Sequence, residues 1–237
     1  MSFSVPVLMY HSIAPRSTDY LTVACARFRM QVDHLADRYK IVGLRDIEAA
    51  IAGHASMPRD AVVLTFDDGL WDNVEHAVPV LEARGTRAVF FVIASVIGGD
   101  TRCDHKGFRL APHMTTGDLQ TLARAGHEVG NHSLTHQRLS KLPYEEQERE
   151  IALSHDVLTA VLGRAPGAFA YQYGDADAHS ASLCRARYKL GFTTVRHGCF
   201  DWEDDPAQIR RIYVAPTDGP EELDHKIACY CRGVQHT

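Results

Sequence analysis

Two acidic residues and two histidines stand where apolar segments of the sequence end. Asp67 and Asp68 directly follow an apolar run that begins at Ala61, and His132 and His136 follow a second apolar segment. One carboxylate and two imidazoles form a ligand set that suits a catalytic divalent metal. A second carboxylate beside them can act as a general base. The sequence therefore predicts a metal-dependent hydrolase.

Each of these two signals is weak when it is taken alone. With 14 histidines in 237 residues, a pair spaced like His132 and His136 occurs about once by chance. An Asp-Gly step after a strand is often only a turn. Adjacent carboxylates at a strand end, however, repel one another unless a cation or a proton offsets their charge. The two features together therefore favour the metal site.

Composition restricts the classes of protein to which the chain can belong. The 237 residues are 45% hydrophobic and 23% charged, with a net charge of −5, which is ordinary for a soluble globular protein. No basic stripe indicates a nucleic-acid partner, and no apolar stretch is long enough for membrane insertion. The start of the sequence lacks the features of a signal peptide. From the absence of these features we expect a cytoplasmic location. From the length of the chain we expect one domain over residues 1–237.

The six cysteines are scattered along the chain. The interpretation we favour is reduced thiols in a cytosolic protein. A second interpretation, in which Cys229 and Cys231 bind a metal or become oxidised, is weaker because no partner ligands lie nearby in the sequence.

Apolar runs of strand length alternate with segments of helical periodicity. This alternation predicts a parallel sheet, and the number of units favours a closed or nearly closed barrel in which chemistry lies at the strand ends. The irregular segment 100–113 is predicted to be a loop over that face. The predicted strands are 5–10, 41–44, 61–66, 88–93, 127–131, 168–173, 192–195 and 209–214, and the predicted helices are 27–39, 46–52, 73–84, 116–125, 143–162, 178–190 and 221–230.

Several segments resemble one enzyme family. Residues 65–69 (TFDDG) and 132–136 (HSLTH) resemble the first two motifs of the polysaccharide deacetylases, the NodB-homology family of carbohydrate esterases. Residues 168–174 resemble the third motif, and residues 7–11 resemble the opening of the branch that deacetylates poly-N-acetylglucosamine. The resemblance extends over roughly residues 5–215.

The resemblance implies a fold, a cofactor and a set of roles. The fold is a distorted (β/α)7-type barrel. Asp68, His132 and His136 would hold one divalent metal, Zn²⁺ by preference, with Co²⁺, Ni²⁺ or Mn²⁺ as alternatives. Asp67 would be the general base, and the backbone N–H of Tyr173 would contact the oxyanion.

The general acid is the least defined of these roles. Many members of the family use a histidine near the carboxyl terminus, and His225 is the only candidate in the terminal helix. Its sequence context does not resemble the family motif. In the branch whose opening this chain resembles, an early histidine takes that place, so we favour His11 over His225.

Two features depart from the family pattern, and a third stretch, residues 200–202, resembles a family motif only superficially. Gln172 stands where the third motif usually has proline, and its amide either contacts substrate or marks a looser loop. The arginine that orients the base in many relatives is missing from this motif. Arg211 is either a substitute for it or an arginine of the surface or the barrel rim. Trp202 either stacks on a sugar face or packs within its loop.

The predicted activity is removal of the N-acetyl group from an N-acetylated sugar, which releases acetate and a free amine. A cytoplasmic location would favour a nucleotide-linked or lipid-linked glycan over a wall polymer. Two alternatives stay open: a metal-dependent hydrolase of a non-sugar amide or cyclic imide, and a non-catalytic carbohydrate-binding protein.

Overall fold

The computed structural model describes residues 4–99, 111–194, 198–202 and 204–231. Its main sheet is parallel and contains nine strands, and a separate pair of short strands lies beside it. The strands are β1 (Val7–Tyr10), β2 (Ser12–Ala14), β3 (Thr22–Ala24), β4 (Lys40–Ile41), β5 (Ala61–Phe66), β6 (Val89–Val92), β7 (Glu128–Asn131), β8 (Ala168–Ala170), β9 (Leu190–Thr193), β10 (Ile209–Arg210) and β11 (Ile212–Tyr213).

The two ends of the sheet are brought together by one short stretch of chain. The strand order is β10-β9-β8-β7-β6-β5-β1-β11, and only Arg211 separates β10 from β11. Ile209 is in register with Phe192 of β9, whereas Ile212 is in register with Leu8 of β1. Residues 209–213 therefore bridge both edges, which gives a nearly closed barrel and confirms the predicted fold class.

Seven helices surround this barrel in the described part of the chain. A π-helical turn, Asn73–Ala77, leads directly into the third of them. Among the described residues, no helix combines the length and the apolar character that a membrane crossing needs. The helices are α1 (Cys25–Arg38), α2 (Leu44–Ile51), α3 (Val78–Ala83), α4 (Thr116–Arg124), α5 (Tyr144–Leu162), α6 (Ala178–Arg187) and α7 (Pro220–Tyr230).

Alternate residues of each strand fill two different parts of the core. Val62 and Leu64 of β5 belong to a cluster that includes residues of the surrounding helices, such as Phe28 and Leu35. Val63 belongs to a second cluster made largely of inward-facing strand residues, with residues of α2 packed against them. Because successive side chains of a strand point to opposite faces, a largely apolar strand such as β5 is buried on both sides.

Element boundaries differ from the sequence predictions where side chains cap a helix. The predicted strand 41–44 is only two residues long, because Gly43 caps α2 and its N–H donates to Asp46 Oδ2. Helix α4 begins at residue 116 as predicted, and Thr115 caps it by accepting a hydrogen bond from the N–H of Asp118 at 3.2 Å. Strands β2 and β3 were not predicted, because three-residue strands carry too little periodicity.

Two other sequence predictions meet a different outcome. Cys199 and Cys231 are paired as a disulfide with Cα atoms 5.3 Å apart, so the expectation of reduced thiols is wrong for these two. The loop predicted over 100–113 lies mostly outside the described residues. At its end, His113 forms an antiparallel bridge with Leu70 next to the first acidic motif.

Helix α6 and the segment before β10 approach the barrel closely at Gly191 in β9. A Cβ at Gly191 would lie 2.3 Å from the carbonyl oxygen of Ala207 and 2.8 Å from Cys184 Sγ. We expect Gly191→Ala to lower the free energy of unfolding by about 2 kcal/mol through overpacking, as measured by urea denaturation. Gly117→Ala is the control: its Cβ makes only an ordinary contact in α4, so stability should stay equal or rise by about 0.5 kcal/mol. Equal effects of both variants would contradict the close approach.

Candidate active site

An open pocket lies at the carboxyl ends of the barrel strands. Each residue that the sequence placed just after a strand contributes to it, because the carboxyl ends of parallel strands meet on one face. The pocket is lined by six of the predicted site residues: His11, Asp67, Asp68, His132, His136 and Tyr173.

Asp68, His132 and His136 form a compact cluster of potential metal ligands. One ligand atom from each lies within 4.8 Å of the others, and all three residues are buried. Asp68 Oδ1 lies 3.5 Å from His132 Nε2 and 3.4 Å from His136 Nε2. It accepts no hydrogen bond of good geometry. The two imidazoles lower the pKa of Asp68 well below its usual range, although burial alone would raise it.

The protonation of His132 fits a cation at this cluster. His132 Nδ1 lies 2.7 Å from the carbonyl oxygen of Ala170, and because a carbonyl can only accept, Nδ1 must carry a proton. In the neutral ring, Nε2 then presents a lone pair toward the Asp68 carboxylate. Two lone-pair donors that face each other in a buried site need a cation or a proton between them. The three residues therefore fit a divalent metal, whose histidine ligands commonly donate their other N–H to a carbonyl.

The backbone at the site is held in a conformation that non-glycine residues rarely adopt. Positive φ angles occur at Asp68 (74°), Ser133 (60°), His136 (64°) and Tyr173 (57°). Each lies in one of the three loops that carry the predicted motifs. Such conformations cost roughly 1–3 kcal/mol each and persist only where surrounding contacts enforce them. The contacts around these loops are therefore part of the site.

His113 makes one of these supporting contacts and was missed at the sequence level. Its Nδ1 lies 3.0 Å from the backbone carbonyl oxygen of Asp68, so the ring holds the left-handed turn that directs the Asp68 carboxylate. His113 falls in a segment without periodicity, which gave no signal of this role.

Asp67 forms a buried ion pair with Arg211. The guanidinium donates two hydrogen bonds of 2.7 Å, one to each carboxylate oxygen, and a third of 3.2 Å to Thr65 Oγ1. Arg211 is fully buried inside the barrel mouth. Burial raises the pKa of Asp67, but the Arg211 guanidinium and nearby imidazoles outweigh this effect, so the pKa lies below its usual value. Asp67 is therefore ionised and fixed in orientation.

His11 reaches the pocket directly from the end of β1. Its Nδ1 is buried and has no hydrogen-bond partner among the described residues. Burial lowers the pKa of His11, and the carboxylates of Asp68 and Asp67 partly oppose this. His225, the other candidate acid, is exposed on α7 with Nε2 3.4 Å from Cys229 Sγ. The structure thus brings His11, and not His225, to the acidic pair.

Two predicted substrate contacts lie away from the pocket. Gln172 is fully buried, and its amide donates to the carbonyl oxygen of Ala170 at 3.1 Å. It therefore supports the strand end next to His132, which corrects the prediction of a direct substrate contact. Trp202 contacts Phe200 edge-on, with ring centroids 5.1 Å apart, and packs against the second core cluster.

One wall of the pocket was not anticipated from the sequence. This wall is formed by Tyr20 and Leu21, which come just before β3, and by Tyr213 of β11. The Tyr213 hydroxyl donates to the backbone carbonyl of Tyr20, whose side chain is 64% exposed. On the other side, Tyr173 is 40% exposed, and the Arg138 guanidinium lies 4.0 Å above its ring. Exposed aromatic rings therefore stand on two sides of the pocket mouth.

The chain was also compared with known proteins. A family model described as polysaccharide deacetylase matches residues 54–195, more than half of the chain. The chain belongs to this family. The match contains both the acidic motif and the histidine pair, and it confirms the resemblance found from the sequence motifs.

Individual members of the polysaccharide deacetylase family are distant relatives. YxkH of Bacillus subtilis (strain 168) is 26% identical over 90% of this chain and 72% of its own length. Chitin deacetylase 1 of Cryptococcus neoformans is 26% identical over 59% of this chain. Peptidoglycan-N-acetylglucosamine deacetylase of Bacillus cereus is also 26% identical, over 48% of this chain. This chain spans only 28% and 36% of the last two proteins.

Solved structures of deacetylases share the fold. Streptococcus pyogenes deacetylase PplD, solved in complex with acetate, superposes with a TM-score of 0.83 at 24% identity, over 95% of this chain and 99% of that chain. IcaB from Ammonifex degensii gives a TM-score of 0.79 at 24% identity, over 94% and 97%. At this identity the likeness establishes the barrel fold, and the activity of this chain has to be argued from its site.

Because Asp67 and Arg211 form a buried ion pair, removal of the arginine charge alone should cause a large loss of stability. We expect Arg211→Met to lower the free energy of unfolding by about 3 kcal/mol, because the Asp67 carboxylate would stay buried without its partner. The double variant Asp67→Asn, Arg211→Met should recover part of this loss, as measured by chemical denaturation. Arg210→Met is the control: its guanidinium is partly exposed, so its loss should be below about 1 kcal/mol. Additive effects at residues 67 and 211 would contradict the coupling.

Proposed function

We propose that this protein is a metal-dependent hydrolase that removes the N-acetyl group from an N-acetylated sugar. The observation that carries the proposal is the arrangement of two adjacent carboxylates in one pocket. Asp68 faces two imidazoles, whereas Asp67 is held ionised by Arg211. One carboxylate is thus available to a metal and the other to a proton, as metal-assisted hydrolysis of an amide requires.

Asp67 is the proposed general base. Water adds to the acetamide carbonyl carbon, and Asp67 accepts the proton that the water loses. Because Arg211 binds both carboxylate oxygens at 2.7 Å, it fixes the orientation of the base and keeps it deprotonated before the reaction.

Asp68, His132 and His136 are the proposed metal ligands. A divalent ion held there polarises the acetamide carbonyl and lowers the pKa of water. Zn²⁺ is the expected ion because two imidazoles and one carboxylate suit it, and Co²⁺, Ni²⁺ and Mn²⁺ are the alternatives.

His11 and Tyr173 complete the proposed reaction. The carbon–nitrogen bond breaks as protonated His11 delivers its proton to the leaving amine. The proton that Asp67 took from water then reprotonates His11, so the products are acetate and a free amino sugar. The backbone N–H of Tyr173 donates to the oxygen that becomes negative when water adds. His11 supports this assignment by its place in the pocket beside Asp67.

The class of substrate follows from the family and from the pocket mouth. Two relatives are named for chitin and for peptidoglycan N-acetylglucosamine, and both are N-acetylated glycans. The exposed ring of Tyr20 offers an apolar face of the kind on which sugars stack. We therefore infer an N-acetylhexosamine within a glycan or glycoconjugate.

Acetate release tests this activity. The panel is N-acetylated chito-oligomers, peptidoglycan fragments, nucleotide-linked N-acetylhexosamines and lipid-linked sugars, each with Zn²⁺-loaded protein. We expect turnover on at least one of them and a decrease in kcat of about 100-fold or more for Asp67→Asn, since a general base contributes that much. Asp156→Asn, a change at an exposed residue of α5, should leave kcat unchanged.

The other outcomes identify the competing functions. Hydrolysis of a cyclic imide without release of acetate from any sugar would assign the site to imide chemistry. Binding of glycans without any turnover would assign the protein to the carbohydrate-binding class.

Metal content tests the ligand assignment separately from turnover. We expect one divalent ion per chain by elemental analysis after dialysis, and less than about a tenth of that for His132→Ala, because the cluster would keep only two ligands. Asp67→Asn should retain the ion. His54→Ala, at an exposed histidine, is the control. An unchanged metal content in His132→Ala would show that the ion binds elsewhere.

A further inference from the structure

Glu150 is a buried carboxylate that contacts the segment between the two histidine ligands. We call residues 132–136 the histidine loop. Glu150 lies on α5 and is 6% exposed. Its Oε2 accepts hydrogen bonds from the backbone N–H groups of Leu134 (3.1 Å) and Thr135 (2.8 Å), and its Oε1 accepts one from the Thr135 hydroxyl at 2.5 Å. Three donors of the histidine loop therefore converge on one side chain from another element.

The hydrogen bonds from the histidine loop are the main compensation for burying Glu150. No ion pair within the described part of the chain includes this carboxylate. Transfer of a carboxylate from water into the protein interior is strongly unfavourable unless hydrogen-bond donors replace its hydration. Here the donors are two main-chain amides and one hydroxyl, all from the histidine loop. Burial of Glu150 in this arrangement therefore depends on the histidine loop.

The histidine loop, in turn, needs an acceptor on this side. Ser133 and His136 have positive φ angles, and the residues between them turn their N–H groups toward α5. Successive N–H groups in such a turn form a concave site for an anion. Within the loop, the N–H of His136 donates to Ser133 Oγ at 3.1 Å, so that donor is already used. Glu150 fills the remaining concavity from outside the loop.

We propose that Glu150 is a positioning residue that holds the histidine loop in the conformation in which His132 and His136 face Asp68. This inference rests on the metal site of the proposed function. Glu150 does not line the pocket, so its effect reaches the metal only through the loop backbone. Side chains that orient ligands in this indirect way typically change metal affinity by about 10- to 100-fold when they are removed.

The experiment measures the Zn²⁺ dissociation constant by competition with a chromophoric chelator, together with the visible spectrum of the Co²⁺-loaded protein. Glu150→Ala should bind Zn²⁺ about 10- to 100-fold more weakly and show a changed Co²⁺ spectrum at saturation. Glu150→Gln keeps an oxygen that can accept from the two amides, so its affinity should lie between those of wild type and Glu150→Ala. Glu146→Ala is the matched control, one turn earlier on α5 and exposed, and it should match wild type in both measurements.

The outcomes separate this inference from the one on which it rests. Wild-type affinity and an unchanged Co²⁺ spectrum in Glu150→Ala would overturn the role of Glu150. A wild-type protein that binds no Zn²⁺ would instead refute the metal site itself. If Glu150→Ala does not fold, the Zn²⁺ affinity of Glu150→Asp is the test. The aspartate side chain is one methylene shorter, so its carboxylate cannot reach all three donors. Weaker Zn²⁺ binding by Glu150→Asp would support the proposal, and wild-type binding would overturn it.

Discussion

The buried pair of Asp67 and Arg211 is the interaction on which the rest of the site depends. A carboxylate inside a barrel mouth keeps its charge only when a cation lies close to it. Arg211 meets this need with two hydrogen bonds of 2.7 Å, and it is also the residue between the strands that pair with the two edges of the sheet. The residue that lies between the two edge strands of the barrel is therefore also the one that keeps the Asp67 carboxylate ionised.

Around this pair, three loops hold residues in left-handed backbone conformations. Each loop is supported from outside itself: His113 contacts the carbonyl of Asp68, Glu150 contacts the histidine loop, and Thr193 Oγ1 donates to the carbonyl of Gly174 beside Tyr173. The functional groups thus stand on strained turns whose geometry comes from neighbouring elements. The apolar strands below them provide a rigid base.

The sequence was sufficient to predict the barrel and to place the residues that converge at its mouth. Buried strands such as β5 stand out by their continuous apolar runs, and the acidic and histidine motifs follow strand ends directly. The supporting contacts could not be predicted in this way. Glu150 has the helical context of any surface glutamate, and His113 has no periodic neighbours, so only the tertiary structure shows what they contact. Gln172 was misjudged for the same reason, since burial of a polar side chain at a strand end has no local signal.

The position of Arg211 along the chain also affects how the protein is made. Arg211 follows Asp67 by 144 residues, and during synthesis the ribosome delivers the acidic motif long before the segment that neutralises it. Until that segment emerges, the nascent barrel has an open edge and an unpaired carboxylate near its mouth. Burial of Asp67 is then unfavourable, because its charge has no partner. The buried Asp67–Arg211 pair can therefore form only after every other strand of the barrel has been synthesised, because β10 and β11 come last in chain order.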